Sequence, residues 1–167
     1  KEVSFAFTSS HYNLDINDPR GWFPPFYNRG PFAAFFRCHP FIGVELVVKF
    51  VNFATKQWTN DFAHKKITIP AIEVSYESKP RYFTGNESVY YWFRDTAGAP
   101  HSVVSALQAL EKFLIDQSDK SNDISPFVDF ILKQGTSVAL LGVLNSVGKY
   151  DPKHYLKSLN ALLPVAD

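Results

Sequence analysis

Between Ser137 and Val147 the chain reads SVALLGVLNSV, with one strongly polar position, Asn145. A helix that is apolar nearly all round has to be covered on most sides. The stretch from Ser102 to Lys149 is therefore predicted to be the centre of the fold, with the helices before and after it as packing partners. Upstream, Val103, Leu107, Leu110 and Leu114 step by four, three and four, with Val104 and Phe113 alongside, which predicts a helix from Ser102 to Gln117. Gln108, Lys112 and Asp116 form its polar far face. Ser125-Pro126 reads as a helix start, Ser capping and Pro at the first position, with Gly135 ending that helix. Gly148 reads as the stop of the apolar helix, and Asp151-Pro152 as the start of a last helix that ends before Pro164. Residues 101–163 are thus predicted to be a four-helix region whose short turns make neighbours antiparallel.

The first part of the chain is more irregular. Residues 1–8 alternate Val3, Phe5 and Phe7 on one face, which predicts a short strand. The rest of residues 1–29 mixes Asp-Pro, Arg-Gly and Pro-Pro with Trp22, Phe23, Phe26 and Tyr27, and reads as a loop held down by aromatic anchors. A helical pair is expected over 30–62: a short helix opened by Gly30-Pro31 and running to Cys38, then one from Phe41 to Trp58. The apolar stripe of the second is predicted as Leu46, Phe50, Phe53 and Ala54, widened by Val47 and Val51. Over 67–93 the period changes to two. ITIPAIEVSY and, after Thr84-Gly85-Asn86, SVYYWF are predicted to pair as an antiparallel β-ribbon, with Pro70 and Pro80 suited to an edge. PFAAF at Pro31 and PFVDF at Pro126 both open a short helix that leads into a longer apolar one, a weak internal echo of a repeat. The fold class expected is mainly α: an antiparallel helical-repeat-like domain of α-solenoid type with a small antiparallel β-ribbon insertion.

A chain of 167 residues fits one domain and can bury a core. Sixteen Phe and eight Tyr predict a core built on rings. A net charge of +1 gives no strong field to draw nucleic acid or an anionic membrane. A single cysteine allows no internal disulfide, and no apolar run is long enough to span a bilayer, so a cytoplasmic location is expected. The chain has no Met and opens at Lys1 in mid-pattern, which predicts a fragment of a longer protein.

Chemistry is sparse. GVLNSVGKY, Gly142 to Tyr150, resembles a phosphate loop but has five residues between its glycines instead of four. Tyr150 stands where Ser or Thr would hold magnesium, and no strand precedes it. The five histidines are scattered, no HExxH, CxxC or GxSxG occurs, and Cys38 at the end of an apolar helix reads as a small core residue. No cofactor, metal or catalytic residue is expected. Glu73, Glu77, Glu87 and Asp95 could supply a carboxylate pair, yet nothing selects two of them over a solvated ribbon. The candidate partner-binding residues are the loop aromatics Trp22, Phe26 and Tyr27, and the interleaved Arg81, Tyr90 and Arg94. In a strand, Tyr90 and Trp92 would share one face and Tyr91 and Phe93 the other. A small enzyme using Cys38 or a histidine in a cleft, and a nucleic-acid-binding module using Arg81, Tyr90 and Arg94, are the alternatives.

Three stretches, Gly30 to Trp58, Val89 to Leu114 and Ile124 to Lys149, resemble the helical region downstream of the ATPase core in very large bacterial STAND-type ATP-binding proteins, the class that includes AVAST-like antiviral defence proteins. The resemblance covers about two thirds of the chain. It implies a noncatalytic scaffold or sensor segment that mediates protein–protein contact within the parent chain. No catalytic residue carries over, because the phosphate-loop residues of that ATPase are absent here.

Overall fold

The computed structural model describes residues 24–64, 68–94 and 99–165, and is mainly helical with one small two-stranded sheet. The six α-helices among these residues are α1 (Phe32–Cys38), α2 (Pro40–His64), α3 (Glu87–Tyr90), α4 (His101–Asp119), α5 (Ser125–Gln134) and α6 (Val138–Tyr150). Strands β1 (Ala71–Tyr76) and β2 (Lys79–Thr84) pair antiparallel. Short 3-10 turns span Trp92–Arg94, Pro152–Leu156 and Asn160–Val165. The strand predicted over residues 1–8 lies outside the described residues, as do Trp22 and Asp95.

The apolar helix is where the sequence puts it. Ten of the α6 residues are buried, Asn145 among them. Its amide is satisfied: Asn145 Nδ2 donates to the Tyr90 hydroxyl at 2.8 Å, and the Tyr155 hydroxyl donates to both its Oδ1 and its backbone oxygen. Gly148 is not the stop predicted, since α6 runs on to Tyr150. The Tyr155 ring packs so closely there that an added Cβ would lie 2.5 Å from it. Over its first half α4 is as deeply enclosed as α6, every residue from Ser102 to Leu107 being buried. It meets α6 on one side and α1, α2 and the Trp92–Arg94 turn on others.

Stacked and edge-on rings join four helices. Phe36 of α1 stacks on Phe113 of α4 at 4.7 Å, Phe113 meets Phe127 of α5 edge-on, and Phe41 of α2 packs against Phe127 and Phe130. The core is nonetheless mostly aliphatic and not ring-built as the phenylalanine count led one to expect: Phe32, Phe36, Trp58, Phe83, Trp92, Phe93 and Phe113 are its buried rings, among a majority of Val, Leu, Ile and Ala. The α2 stripe, however, is rotated from the one predicted. Val44, Val47, Val48, Val51, Ala54, Thr55 and Trp58 are buried, while Leu46 and Phe53 are on the outside.

The loop between α5 and α6 is held by three residues of two elements. Asn52 Nδ2 of α2 donates to the Gln134 carbonyl at 2.8 Å, and its Oδ1 accepts from Thr136 N at 2.9 Å. Thr55 Oγ1 donates to Ser137 Oγ at 2.7 Å, and Ser137 in turn caps α6 by accepting from Ala139 N. Thr84 N of β2 donates to the Thr136 carbonyl at 2.7 Å.

The ribbon is real, but its second strand is Lys79–Thr84 instead of Ser88–Phe93. The turn is Glu77-Ser78, both at positive φ (49° and 59°), the backbone of a type I′ hairpin without its usual Asn-Gly. Asn86 caps α3 by accepting from Val89 N, so the following SVYYWF run is helical. The face alternation expected there fails accordingly: Trp92 and Phe93 are both buried, Tyr90 is half-buried and Tyr91 is exposed. Two further corrections concern helix ends. α5 takes no side-chain cap from Ser125; the Asp123 carboxylate accepts from Ser125 N at 2.9 Å instead. The last segment is two 3-10 turns, with Pro164 inside the second, and not one α-helix.

Candidate interaction surface

Of the six residues singled out in the sequence, five are described, and three of those are committed to the fold. Arg81 donates to the Lys133 carbonyl at the C-terminal end of α5. Around it the ribbon is stapled to that helix, by Lys133 Nζ to Glu77 Oε1 at 2.7 Å and the Tyr76 hydroxyl to Asp129 Oδ1 at 2.6 Å. Burial, then the Asp129 hydrogen bond and charge, push the Tyr76 phenol well above its ordinary range. Tyr90 accepts from Asn145, and Arg94 donates to Ser146 Oγ at 2.9 Å while lying 3.5 Å from Glu111. Arg81 is thus held at α5, and Tyr90 and Arg94 at α6.

Phe26 and Tyr27 are closer to the expectation. Their rings touch at 4.4 Å, and Phe26 is 48% exposed, with its backbone N–H donated to the buried Ser105 Oγ at 3.2 Å. Tyr27 lines a groove of about 360 Å³ whose floor includes Phe36 and Phe113 and whose rim carries Arg37, Lys112 and Asp116.

The residues that sequence reasoning placed in the core, Leu46 and Phe53, join Ile42 on the outer face of α2. At about 100° per residue the three fall within roughly 40° of one another and opposite the buried valines. Ile42 is 52% exposed and Phe53 46%. Lys49 sits among them, paired with Glu45 at 2.6 Å. The phase of the buried face is hard to fix when valines and phenylalanines alternate along a helix that is apolar on both sides.

One cluster had no signal in the sequence. Ser118, in the last turn of α4, places Oγ 2.8 Å from His154 Nε2 and 3.5 Å from Asp151 Oδ2, in a cleft of about 330 Å³ that Lys153 and Lys157 also line. The residue types are those of a hydrolase triad, but the order is wrong. A relay needs the carboxylate on the imidazole nitrogen remote from the serine. Here Asp151 Oδ2 is 3.9 Å from Nε2, the same nitrogen that faces Ser118. Asp151 Oδ1 is also engaged, accepting from Lys153 N at 3.1 Å. The cluster ties the 3-10 turn to the end of α4.

Cys38 is exposed at the end of α1, contrary to the core position expected. Among the described residues, no three His, Cys, Asp or Glu side chains could hold a metal ion, and no helix is long and apolar enough to cross a membrane. No protein family, curated protein or solved structure matches this chain.

Proposed function

We propose that the chain is a noncatalytic scaffold or sensor segment of a larger bacterial NTPase of the STAND class, acting by protein–protein contact, with a place in antiviral defence. The observation that carries this reading is the outer face of α2, where Ile42, Leu46 and Phe53 stand exposed along one side of a 25-residue helix. A stripe of large apolar side chains on a rigid helix is suited to packing on another surface. The two short–long pairs, α1 with α2 and α5 with α6, are the features that favour an α-solenoid-type repeat. In such a segment a ligand acts by binding one arrangement of the parent more tightly than another.

Two measurements test it. The isolated chain is expected to give no heat on titration with ATP and to release no phosphate from it; measurable nucleotide binding would sink the proposal. In the full-length parent, Ile42→Asp combined with Phe53→Asp is expected to change nucleotide turnover. The melting of the isolated chain should move little, because exposed substitutions away from special features stay within about 0.5 kcal/mol each. Unchanged turnover in the double variant would remove α2 as the contact.

The enzyme reading has one observation in its favour, the Ser118 to His154 hydrogen bond in a cleft. Covalent labelling of Ser118 by a fluorophosphonate, lost in His154→Ala, would establish it over the scaffold reading.

A further inference from the structure

The ribbon's β1 edge is left unpaired by the rest of the described chain. In a two-residue hairpin the closing pair, Tyr76 with Lys79, is hydrogen-bonded, and bonded and non-bonded pairs then alternate. Val74 with Arg81 and Ile72 with Phe83 are bonded pairs; Ser75 with Pro80, Glu73 with Tyr82 and Ala71 with Thr84 are not. Three observations agree with that register. Pro80, which has no N–H, falls in a non-bonded pair. Thr84 N points away from β1, to the Thr136 carbonyl. Gly85 N donates to the Pro70 carbonyl, where the next bonded pair belongs.

The consequence is that Ala71, Glu73 and Ser75 aim their N–H and C=O groups away from β2. No described residue bonds them. On the outer edge of β2 the loop at Thr136 and Ser137 engages Thr84, and Pro80 lacks an N–H, so β1 carries the longer run of unpaired edge groups. Beside it runs a cleft of about 650 Å³ lined by Glu73, Val74, Ser75, Tyr76 and Glu77, with Asn160 and Ala161 as the far wall. Consecutive residues of a strand point to opposite faces, so a cleft lined by the four in a row from Glu73 to Tyr76 runs along the strand's edge.

We propose that β1 is a docking edge for an extended segment of a separate polypeptide, which adds as a third strand with basic and apolar side chains alternating. Main-chain bonds to residues 71, 73 and 75 supply the attachment, as in other strand additions. The side chains set the pattern. Glu73 and Glu77 are the charged residues of the cleft, and Glu73 is exposed on the outer face with Ala71 and Ser75. A lysine or arginine of the incoming strand on that face lies beside Glu73 as a cross-strand charge pair. On the inner face Val74 is buried and Ile72 and Tyr76 are half-buried, so the alternate residues of the partner are apolar and turn towards Ala161. A second copy of this chain is the poorer occupant, since symmetric antiparallel pairing of two β1 edges centred on residue 73 sets Glu73 against Glu73. The inference goes beyond the α2 face and does not depend on the parent being an NTPase.

The test uses a fluorescein-labelled Lys-Val-Lys-Val-Lys-Val peptide and fluorescence anisotropy on the intact chain. Saturable binding is expected, weakened about fivefold or more by Glu73→Lys, the scale of a cross-strand charge pair turned from attraction to repulsion. Ser75→Pro, which removes an outward N–H not used inside the ribbon, is expected to abolish binding, with circular dichroism checking that it still folds. A peptide N-methylated on the backbone groups that face the edge makes the same test without altering the protein, and is expected not to bind. Equal binding of the methylated peptide would reduce the effect to charge adsorption and overturn the proposal. So would a dimer of the unliganded chain in sedimentation that Ser75→Pro dissolves, which would give the edge to a second copy.

Discussion

Asn145 shows how a single polar side chain can be kept inside an apolar helix. Its amide nitrogen and oxygen face two tyrosine hydroxyls, and those tyrosines come from α3 and from the turn after α6, so the residue joins three elements at one point. Asn145→Leu would keep the volume, remove the partner of the Tyr90 hydroxyl and leave the Tyr155 hydroxyl only the backbone oxygen at position 145. Leaving such groups unsatisfied costs about 1–3 kcal/mol. Thermal or denaturant unfolding should show that loss, and a change under about 0.5 kcal/mol would mean the hydroxyls find water instead. The sequence marked Asn145 as an exception within an apolar run but could not name its partners. Tyr90 is 55 residues away, and Tyr155 follows in a segment that reads as an ordinary helix. The same limit hid Ser118 and His154, whose juxtaposition depends on how the last turn of α4 meets a 3-10 turn 36 residues later. Cys38 was misread for a simpler reason: one apolar helix turn has two sides, and the phase of a seven-residue helix is poorly fixed by its own sequence.

Elements were legible where their signals were local and strong. Proline at a helix start, a four-three-four step of leucines and a continuous apolar run gave α1, α2, α4 and α6 to within a few residues at most boundaries. The hairpin was misplaced because its turn is Glu77-Ser78, which carries no turn signature, while the Thr84-Gly85-Asn86 that does carry one leads from β2 into α3. Local chemistry there favours a cap over a hairpin. The ribbon depends on α5 for its position, through Tyr76 with Asp129 and Lys133 with Glu77, and that dependence has a pH signature. Burial first and Asp129 second raise the Tyr76 phenol above its ordinary value near 10, and burial and then Tyr90 raise Tyr155. For a raised folded-state value the stabilisation is fully present below the unfolded value and is lost as pH climbs past it. The melting temperature is therefore expected to hold up to about pH 10 and to fall above it. Tyr76→Phe should make that alkaline fall shallower; an identical slope would show that Tyr76 ionises freely in the folded state.

Across the described residues, one buried cluster runs from Phe32 to Leu162 and draws on every element except the Pro152–Leu156 turn, whose Tyr155 packs against it half-buried. The helical character was readable from periodicity, whereas the arrangement was not: α5 lies principally against α2, from the other end of the chain, and not in a simple hairpin with its sequence neighbours. That arrangement bears on the route by which the chain reaches its native state. The loop after α5 is clasped by Asn52 and Thr55, contacts that span 82 to 84 residues. Such a clasp cannot close until both halves of the chain exist and have met, so it forms late, and its loop-closure entropy has to be met by helices already half assembled. During synthesis α2 would leave the ribosome well before its partner, with both its valine face and its Ile42, Leu46 and Phe53 face bare. The helix best suited to holding another protein in the finished molecule is thus also the one most in need of shelter while the molecule is being made.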